Sequence, residues 1–314
     1  MASKLVCRPL ENKILAERFI YDILEAIIEE ESTSIERTEI ADKDIQYLVE
    51  TELDLQKLKD EQTLNSPNFR HRLYRDNKER KKLRQQIVNE LKEKNRLSND
   101  DDILLGTGGA KPCKIEPQKG KEAYYIIGLP ATGKSGIANI IADARGAYIL
   151  DCDMAKRKIP EYSTARIGAS LVHEESDEIV FGMGKYGLFG FCTKYEYNIV
   201  IPKIGHDLNK IVEFVSTLKA LGYQIFLVLS DADRLHATSR AYNRFLKTRR
   251  YVPLPLIFDG YGNNPQLNYF RLKQSNSTTH LFTGFLQINT QCEEFSIVEN
   301  IDMPENFSFS KKCN

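Results

Sequence analysis

Residues 128–135 have the spacing of a phosphate-binding loop. Gly128, Gly133, Lys134 and Ser135 fit the pattern G-x-x-x-x-G-K-[ST]. In such a loop the glycines let backbone N–H groups turn towards phosphates, the lysine adds a positive charge, and the hydroxyl can ligate Mg²⁺. The motif therefore predicts a nucleotide site made of Gly128, Pro130, Ala131, Thr132, Gly133, Lys134, Ser135 and Gly136.

Two aspartates follow the next apolar segment. In a doubly wound sheet, ligands lie outside the carboxyl ends of the strands, and alternation along a strand would send Asp151 and Asp153 to the same side. We predict Asp153 as the general base, because it lies further out. Asp151 would hold Mg²⁺ through water or contact the acceptor, although both aspartates could instead end the strand or cap the next helix.

A group of arginines follows further along the chain. Arg240 and Arg244 are one helical turn apart on a predicted helix, and Arg250 lies shortly after it. Phosphoryl transfer needs cations around the migrating phosphate. We therefore predict that Arg240 and Arg244 act in catalysis with Lys134 and that Arg250 binds the nucleotide; a solvated basic face is the alternative for any single arginine.

Short apolar segments alternate with amphipathic helices around these residues. We predict strands at 124–127, 147–150, 198–201, 224–229 and 281–288, and helices at 134–143, 173–184, 207–221 and 236–248. Such alternation is typical of a parallel sheet covered on both faces. The sequence thus predicts a P-loop kinase-like three-layer α/β/α domain with a mostly parallel sheet.

The stretch from Ala123 to Pro253 resembles the zeta-toxin family of P-loop small-molecule kinases. The shared features are the phosphate loop, the Asp151-Cys-Asp153 pair, a glutamate in the next helix, the turn at Leu218–Tyr223 and the Ser-Arg-x-x-x-Arg run before Val252-Pro253. The resemblance implies that Lys134 and Arg244 contact the transferred phosphate. It also implies that Asp153 is the general base and that Glu174 helps to hold the acceptor.

The resemblance implies an ATP-dependent kinase whose acceptor is a nucleotide-linked amino sugar such as UDP-N-acetylglucosamine. One departure affects the acceptor: Pro202 and Lys203 stand where family members often have an acid followed by glycine and threonine. Lys203 could therefore face an anionic acceptor. NAD or a nucleic-acid end are alternative acceptors, and a non-catalytic nucleotide-binding regulatory module is an alternative of another class.

The first third of the chain has a different pattern. Residues 11–31 form an amphipathic helical stripe, whereas residues 70–96 are very basic, with Leu83, Ile87 and Leu91 as a thin apolar line. The basic stretch predicts a solvated helix, or else a surface for nucleic acid or an acidic partner. We predict a helical unit over 1–110 and a kinase domain over 111–314.

The helical unit has two possible roles. In the resembling family a separate helical antitoxin blocks the nucleotide pocket, so this unit could inhibit in cis by placing acids near Lys134 or the arginines of 240–250; an antitoxin-like partner protein is the other possibility. The alternative is a scaffold that only buries apolar surface.

The amino-acid composition indicates which class of protein to expect. The chain has 314 residues, and 41% of them are hydrophobic. Its formal net charge of +0 gives no indication of a polyelectrolyte partner. No apolar run long enough for a membrane span is present, so we expect a cytoplasmic protein without membrane association. The six cysteines are scattered and are expected to be reduced and mostly buried.

Overall fold

The computed structural model describes residues 12–31, 42–58, 62–164, 166–182, 184–249, 251–292, 294–304 and 307–309. A single six-stranded sheet is built in the order β2-β3-β1-β4-β5-β6. All neighbouring strands are parallel except β5 and β6. The strands are β1 (Glu122–Ile127), β2 (Tyr148–Ile149), β3 (Ile199–Pro202), β4 (Gln224–Asp231), β5 (Gly284–Asn289) and β6 (Ser296–Ile301).

Helices flank this sheet, and the predicted three-layer α/β/α fold is confirmed. Before the sheet lie α1 (Lys13–Glu31), α2 (Asp42–Leu58) and α3 (Asn77–Glu93). Between and after the strands lie α4 (Lys134–Arg145), α5 (Cys152–Lys158), α6 (Glu161–Thr164), α7 (Gly168–Leu171), α8 (His173–Val180), α9 (Leu188–Lys194), α10 (Leu208–Ala220), α11 (Arg234–Thr248) and α12 (Asn264–Gln274).

The central strands are apolar because helices cover both of their faces. Residues 123–127 of β1 and 225–230 of β4 are buried without interruption. Tyr125 of β1 lies between Ile201 of β3 and Leu227 of β4 in the parallel register. The loop that follows β1 is therefore anchored by the best-buried part of the sheet.

Strand β6 was not predicted. It pairs antiparallel with β5 at the sheet edge, and Ile297 and Val298 are exposed. An edge strand with few buried residues lacks the apolar run or the clean alternation that identifies a strand from sequence.

Helix α3 belongs to the same core as the sheet. Leu83, Ile87 and Leu91 are buried in one apolar cluster with strands β1, β3 and β4. The prediction of a solvated basic helix is wrong for Arg80, which is fully buried between Glu161 and Glu175. Its partners lie 81 and 95 residues further along the chain, so a local pattern could not reveal them.

Two more arginines of the basic stretch are buried as well. Arg70 donates from Nε to the carbonyl of Thr63, and Arg96 pairs with Asp143 at 2.6 Å. The basic charge of residues 70–96 therefore serves partly to join this segment to the rest of the chain.

We expect Arg80→Ala to lower the free energy of unfolding by about 3–5 kcal/mol, because it leaves the buried Glu161 without its cation and leaves Glu175 with Arg84 alone. Lys82→Ala is the matched control, since Lys82 is exposed and pairs only with Glu79 of the same helix; its effect should stay below about 1 kcal/mol. Urea denaturation measures both values. Equal values for the two variants would contradict this account.

Helices α1 and α2 pack on α11 rather than on the sheet. Ile20, Leu24 and Ile27 of α1 are buried in a second apolar cluster, which includes Phe245 of α11 and Leu129 of the phosphate loop. Ile14 at the start of the stripe is 71% exposed, so the stripe docks only through its later residues.

A carboxyl of α2 is buried in this second cluster. Glu52 accepts a hydrogen bond from the Tyr251 hydroxyl, and burial raises the pKa of Glu52 to about 7. At a pH below the ordinary pKa of a glutamate, the Glu52 carboxyl is protonated in both the folded and the unfolded chain. As the pH rises towards 7 only the unfolded chain ionises, so stability is lost across this range.

We expect the free energy of unfolding of the wild type, relative to that of Glu52→Gln, to fall on the order of 2 kcal/mol between about pH 4.5 and pH 7. The glutamine keeps the neutral side chain at every pH. Urea denaturation at several pH values measures the difference, with Glu17→Gln on the exposed face of α1 as the control. Parallel pH profiles for the wild type and Glu52→Gln would contradict the buried, neutral carboxyl.

Four free cysteines lie in the described part of the chain. Cys192 is buried, whereas Cys113 and Cys292 are exposed, so the expectation of mostly buried thiols is wrong for these two. Cys7 and Cys313 lie outside the described residues. Within the described residues, no helix is both long and apolar enough to cross a membrane.

Candidate active site

The phosphate loop connects the end of β1 to the start of α4. Gly133, at φ +87°, caps α4 in the left-handed region that favours glycine. A Cβ at Gly128 would lie 2.6 Å from the Ser230 carbonyl, so the loop can approach β4 only without a side chain there. The loop backbone thus turns into a helix N-terminus, where backbone N–H groups favour an anion.

Buried hydroxyls hold the loop in this shape. The Ser230 hydroxyl at the end of β4 donates to the Thr132 carbonyl at 2.7 Å, and the Thr132 hydroxyl donates to the Leu129 carbonyl at 2.9 Å. The side chain of Thr132 therefore supports the loop from below. Ser135, in the first turn of α4, is exposed and accessible to a ligand.

Lys134 lies at the centre of the site. Its ammonium donates to the carbonyls of Gly128 and Leu129. Burial lowers the pKa of Lys134 to about 8, the charges of Asp151 and Asp153 oppose this shift, and Arg244 adds to it. The structure thus brings both aspartates and Arg244 within electrostatic reach of Lys134.

The two aspartates do not lie on a strand, so the prediction from strand alternation is wrong. Strand β2 already ends at Ile149, and Asp151 caps α5 by accepting the N–H of Asp153 at 2.8 Å. Asp153 lies in the first turn of α5. Aspartate is among the strongest helix N-caps, which explains why the helix begins here. A turn of backbone, and not the pleat, places both carboxyls near Lys134.

The environments of the two carboxyls differ. Burial, reinforced by repulsion from Asp153, raises the pKa of Asp151 to about 6. Asp153 is 38% exposed and pairs with Lys156 at 2.9 Å. Burial by itself would lower the pKa of Lys156. The negative charge of Asp153 and its hydrogen bond outweigh this effect and keep the pKa of Lys156 above its ordinary value. The carboxyl of Asp153 is therefore accessible to a ligand.

Helix α11 carries the predicted arginines. Arg240 donates from Nη2 to the Gln291 carbonyl at 3.3 Å, while its buried Nη1 makes no hydrogen bond within the described residues. Arg244 lies close enough to the loop to lower the pKa of Lys134. Arg250 lies outside the described residues.

The predicted acceptor residues lie on two different elements. Lys203, just after β3, pairs with Asp177 at 3.3 Å and lies 3.8 Å above the Phe181 ring. Glu174 of α8 accepts a hydrogen bond from Asn65 at 3.3 Å. No hydrogen bond or ion pair of the described residues joins Glu174 to Lys134, so the structure leaves it on the side of the N-terminal segment.

A cleft of about 510 Å³ opens between α2, the α6–α7 region and the end of α11. Three arginines line it: Arg157, Arg166 and Arg249. Arg157 belongs to α5, the helix that Asp151 caps, and its charge lowers the pKa of Asp151, so the cleft lies beside that helix. Arg157 was not predicted, although its position four residues after Asp153 places both on one face of α5.

The sequence profile described as Zeta toxin matches residues 109–275, more than half of the chain. The chain belongs to the zeta toxin family. The match contains the phosphate loop, both aspartates and α11, and the predicted family is confirmed. The fold is accordingly that of a P-loop phosphotransferase, and its loop is a nucleotide-binding loop.

Two solved structures are similar to part of this chain. A chain of the PezAT chromosomal toxin–antitoxin system of Streptococcus pneumoniae shares 17% identity, with 59% of this chain and 72% of that chain covered at a TM-score of 0.43. A gluconokinase from Sinorhizobium meliloti shares 11% identity over 55% of this chain and 85% of that chain, with a TM-score of 0.30. A comparison with curated proteins gives no match.

Proposed function

We propose that this zeta toxin relative is an ATP- and Mg²⁺-dependent kinase that phosphorylates a hydroxyl of a small anionic, nucleotide-linked acceptor. The observation that supports this most strongly is the arrangement around Lys134. A phosphate loop, an accessible aspartate and an arginine meet within electrostatic reach of this one lysine. Phosphoryl transfer needs those three parts at one place.

Each residue has a distinct part in the proposed reaction. The N-terminus of α4 and Lys134 bind the β- and γ-phosphates, and Arg244 offsets the charge of the transferred group, with Arg240 one turn earlier on α11. Asp153 accepts the proton of the acceptor hydroxyl as its oxygen attacks the γ-phosphorus and the bond to ADP breaks.

Ser135 and Asp151 suit Mg²⁺. The Ser135 hydroxyl is exposed beside the loop, and the Asp151 carboxyl lies within electrostatic reach of Lys134. Hydroxyl and carboxylate oxygens are the ligands that Mg²⁺ accepts together with phosphates and water. Bound Mg²⁺ would neutralise part of the polyphosphate charge.

The cleft beside Asp151 favours a small anionic acceptor. Three arginines line it, and its volume lies within the range of small-molecule pockets. UDP-N-acetylglucosamine and NAD both carry a diphosphate that could pair with these arginines. A nucleic-acid end has less support, because the arginines of the basic stretch at residues 70, 80 and 96 are buried.

An assay with pure acceptors tests the proposed function. The protein is incubated with ATP and Mg²⁺ and with UDP-N-acetylglucosamine, NAD or an oligonucleotide in turn, and mass spectrometry detects an added phosphate. We expect phosphorylation of a sugar nucleotide or dinucleotide, and none with Asp153→Asn. ATP consumption that no acceptor stimulates would instead support a nucleotide-binding regulatory module.

Helix α2 supports a proposal of inhibition in cis. Asp44 pairs with Arg249 at 2.6 Å, and Glu50 pairs with Arg166 at 2.8 Å. These acids pair with two of the three arginines that line the cleft, where phosphates of the acceptor would bind, and the third, Arg157, pairs with Asp101 at 3.0 Å. Helix α2 would then compete with the acceptor, whereas a separate antitoxin-like protein would have to displace it or bind beside it.

We expect the double variant Asp44→Asn/Glu50→Gln to lower the KM for the acceptor about three- to tenfold, because two competing ion pairs are removed. Asp22→Asn is the control, since Asp22 pairs only with Arg18 on the same exposed face. Steady-state kinetics with varied acceptor measures the effect. An unchanged or raised KM would leave α2 as a scaffold.

A further inference from the structure

Phe295, the residue before β6, lies over the start of α4. The Phe295 ring covers two positions of the phosphate loop: its Cζ lies 2.7 Å from the place of a Cβ at Gly133, and its Cε2 lies 3.6 Å from that of Gly136. The phenyl ring is only half-buried. Phe295 also lies beyond residues 109–275, so the family match assigns it no role.

The sheet order determines where the base of a nucleotide must lie. Asp151 and Asp153 follow β2, which is two strands away from β1 and the loop on one side. The γ-phosphate has to face these aspartates for transfer. The rest of the nucleotide therefore extends in the opposite direction, towards the carboxyl ends of β4 and β5.

The residues that follow β5 are fixed in that position. The Thr290 N–H donates to the Asp231 carbonyl at 2.8 Å, which joins the segment to the end of β4. Gln291 donates from Nε2 to the Asp233 carboxylate at 2.7 Å, and its carbonyl accepts from Arg240. Thr290 and Gln291 are thus held by both β4 and α11.

We infer that Phe295 is the base-stacking residue of the nucleotide site, and this rests on the proposed function. Every nucleobase has a π-face, so any base can stack on an aromatic ring. The ring of Phe295 lies against the glycines at the beginning of α4, where the phosphates bind.

Calorimetric titration with ATP and with inorganic tripolyphosphate tests this inference. Tripolyphosphate offers the same charges to the loop but has no base. Phe295→Ala should weaken ATP binding about tenfold or more while the affinity for tripolyphosphate stays unchanged. Phe295→Tyr should restore ATP binding, and Phe69→Ala, which removes an exposed phenyl ring from another segment, should have no effect.

Three results would overturn the inference. Equal weakening of both ligands by Phe295→Ala would mean that the ring only supports the loop. Unchanged or tighter ATP binding would mean that the base lies elsewhere. A wild-type protein that binds neither ligand would overturn the proposed function and the inference together, whereas normal ATP binding with an unaffected Phe295→Ala variant would overturn the inference alone.

Discussion

Lys134→Ala is expected to lower the rate of phosphoryl transfer at least about a hundredfold, the equivalent of about 3 kcal/mol or more of transition-state stabilisation. Lys134 is the cation held inside the phosphate loop by two of the loop's own carbonyls. The γ-phosphate would replace these carbonyls as its partner. Alanine leaves the transferred charge without this counter-charge.

Two measurements make this prediction specific. The melting temperature of the variant should fall little. Burial, which lowers the pKa of Lys134, also makes its positive charge unfavourable in the protein without nucleotide, so removing the charge costs little stability. Lys210→Ala removes an exposed lysine from the first turn of α10 and should keep full activity. Turnover of a folded Lys134→Ala variant at the wild-type rate would mean that the loop has no catalytic role.

Asp153→Asn is expected to lower the chemical rate roughly 10²–10⁴-fold while ATP binding stays nearly unchanged. The amide cannot take the proton of the acceptor hydroxyl, yet its oxygen can still accept the hydrogen bond from Lys156. The local structure of α5 should therefore remain. Single-turnover kinetics and ATP titration separate the two effects.

Asp151→Asn is the matched comparison for this variant. Asparagine caps a helix as well as aspartate does, so the N–H of Asp153 keeps its partner. If Asp153→Asn loses ATP affinity in parallel with its rate, Asp153 belongs to the Mg²⁺ site. Asp151 would then be the base, and Asp151→Asn should show the larger loss of rate at unchanged ATP affinity.

Local patterns were sufficient to predict the phosphate loop and the positions of the main strands along the chain. The apolar segment, the glycine spacing and the helical repeat all lie within residues 124–142, so one short stretch contains the whole signal. The position of Asp153 was misjudged for a local reason as well. The strand before it is only two residues long, and the preference of Asp151 for an N-cap decided the geometry.

Other features depend on partners far away in the sequence. Arg249 pairs with an acid 205 residues earlier, and Arg166 pairs with one 116 residues earlier. Composition shows such charges, but it cannot show which acid meets which arginine across two packed helices. The cleft beside α5 was hidden for the same reason, because its walls come from α2, α6 and the end of α11.

The central claim is acceptor-dependent transfer of a phosphoryl group, with Asp153 as the base. The most direct measurement is mass spectrometry of a metabolite extract incubated with the protein and ATP labelled in the γ-phosphate. We predict one class of anionic, nucleotide-linked metabolite that gains the label with the wild type and not with Asp153→Asn. Label released only as inorganic phosphate, at the same rate with and without the extract, would contradict the account.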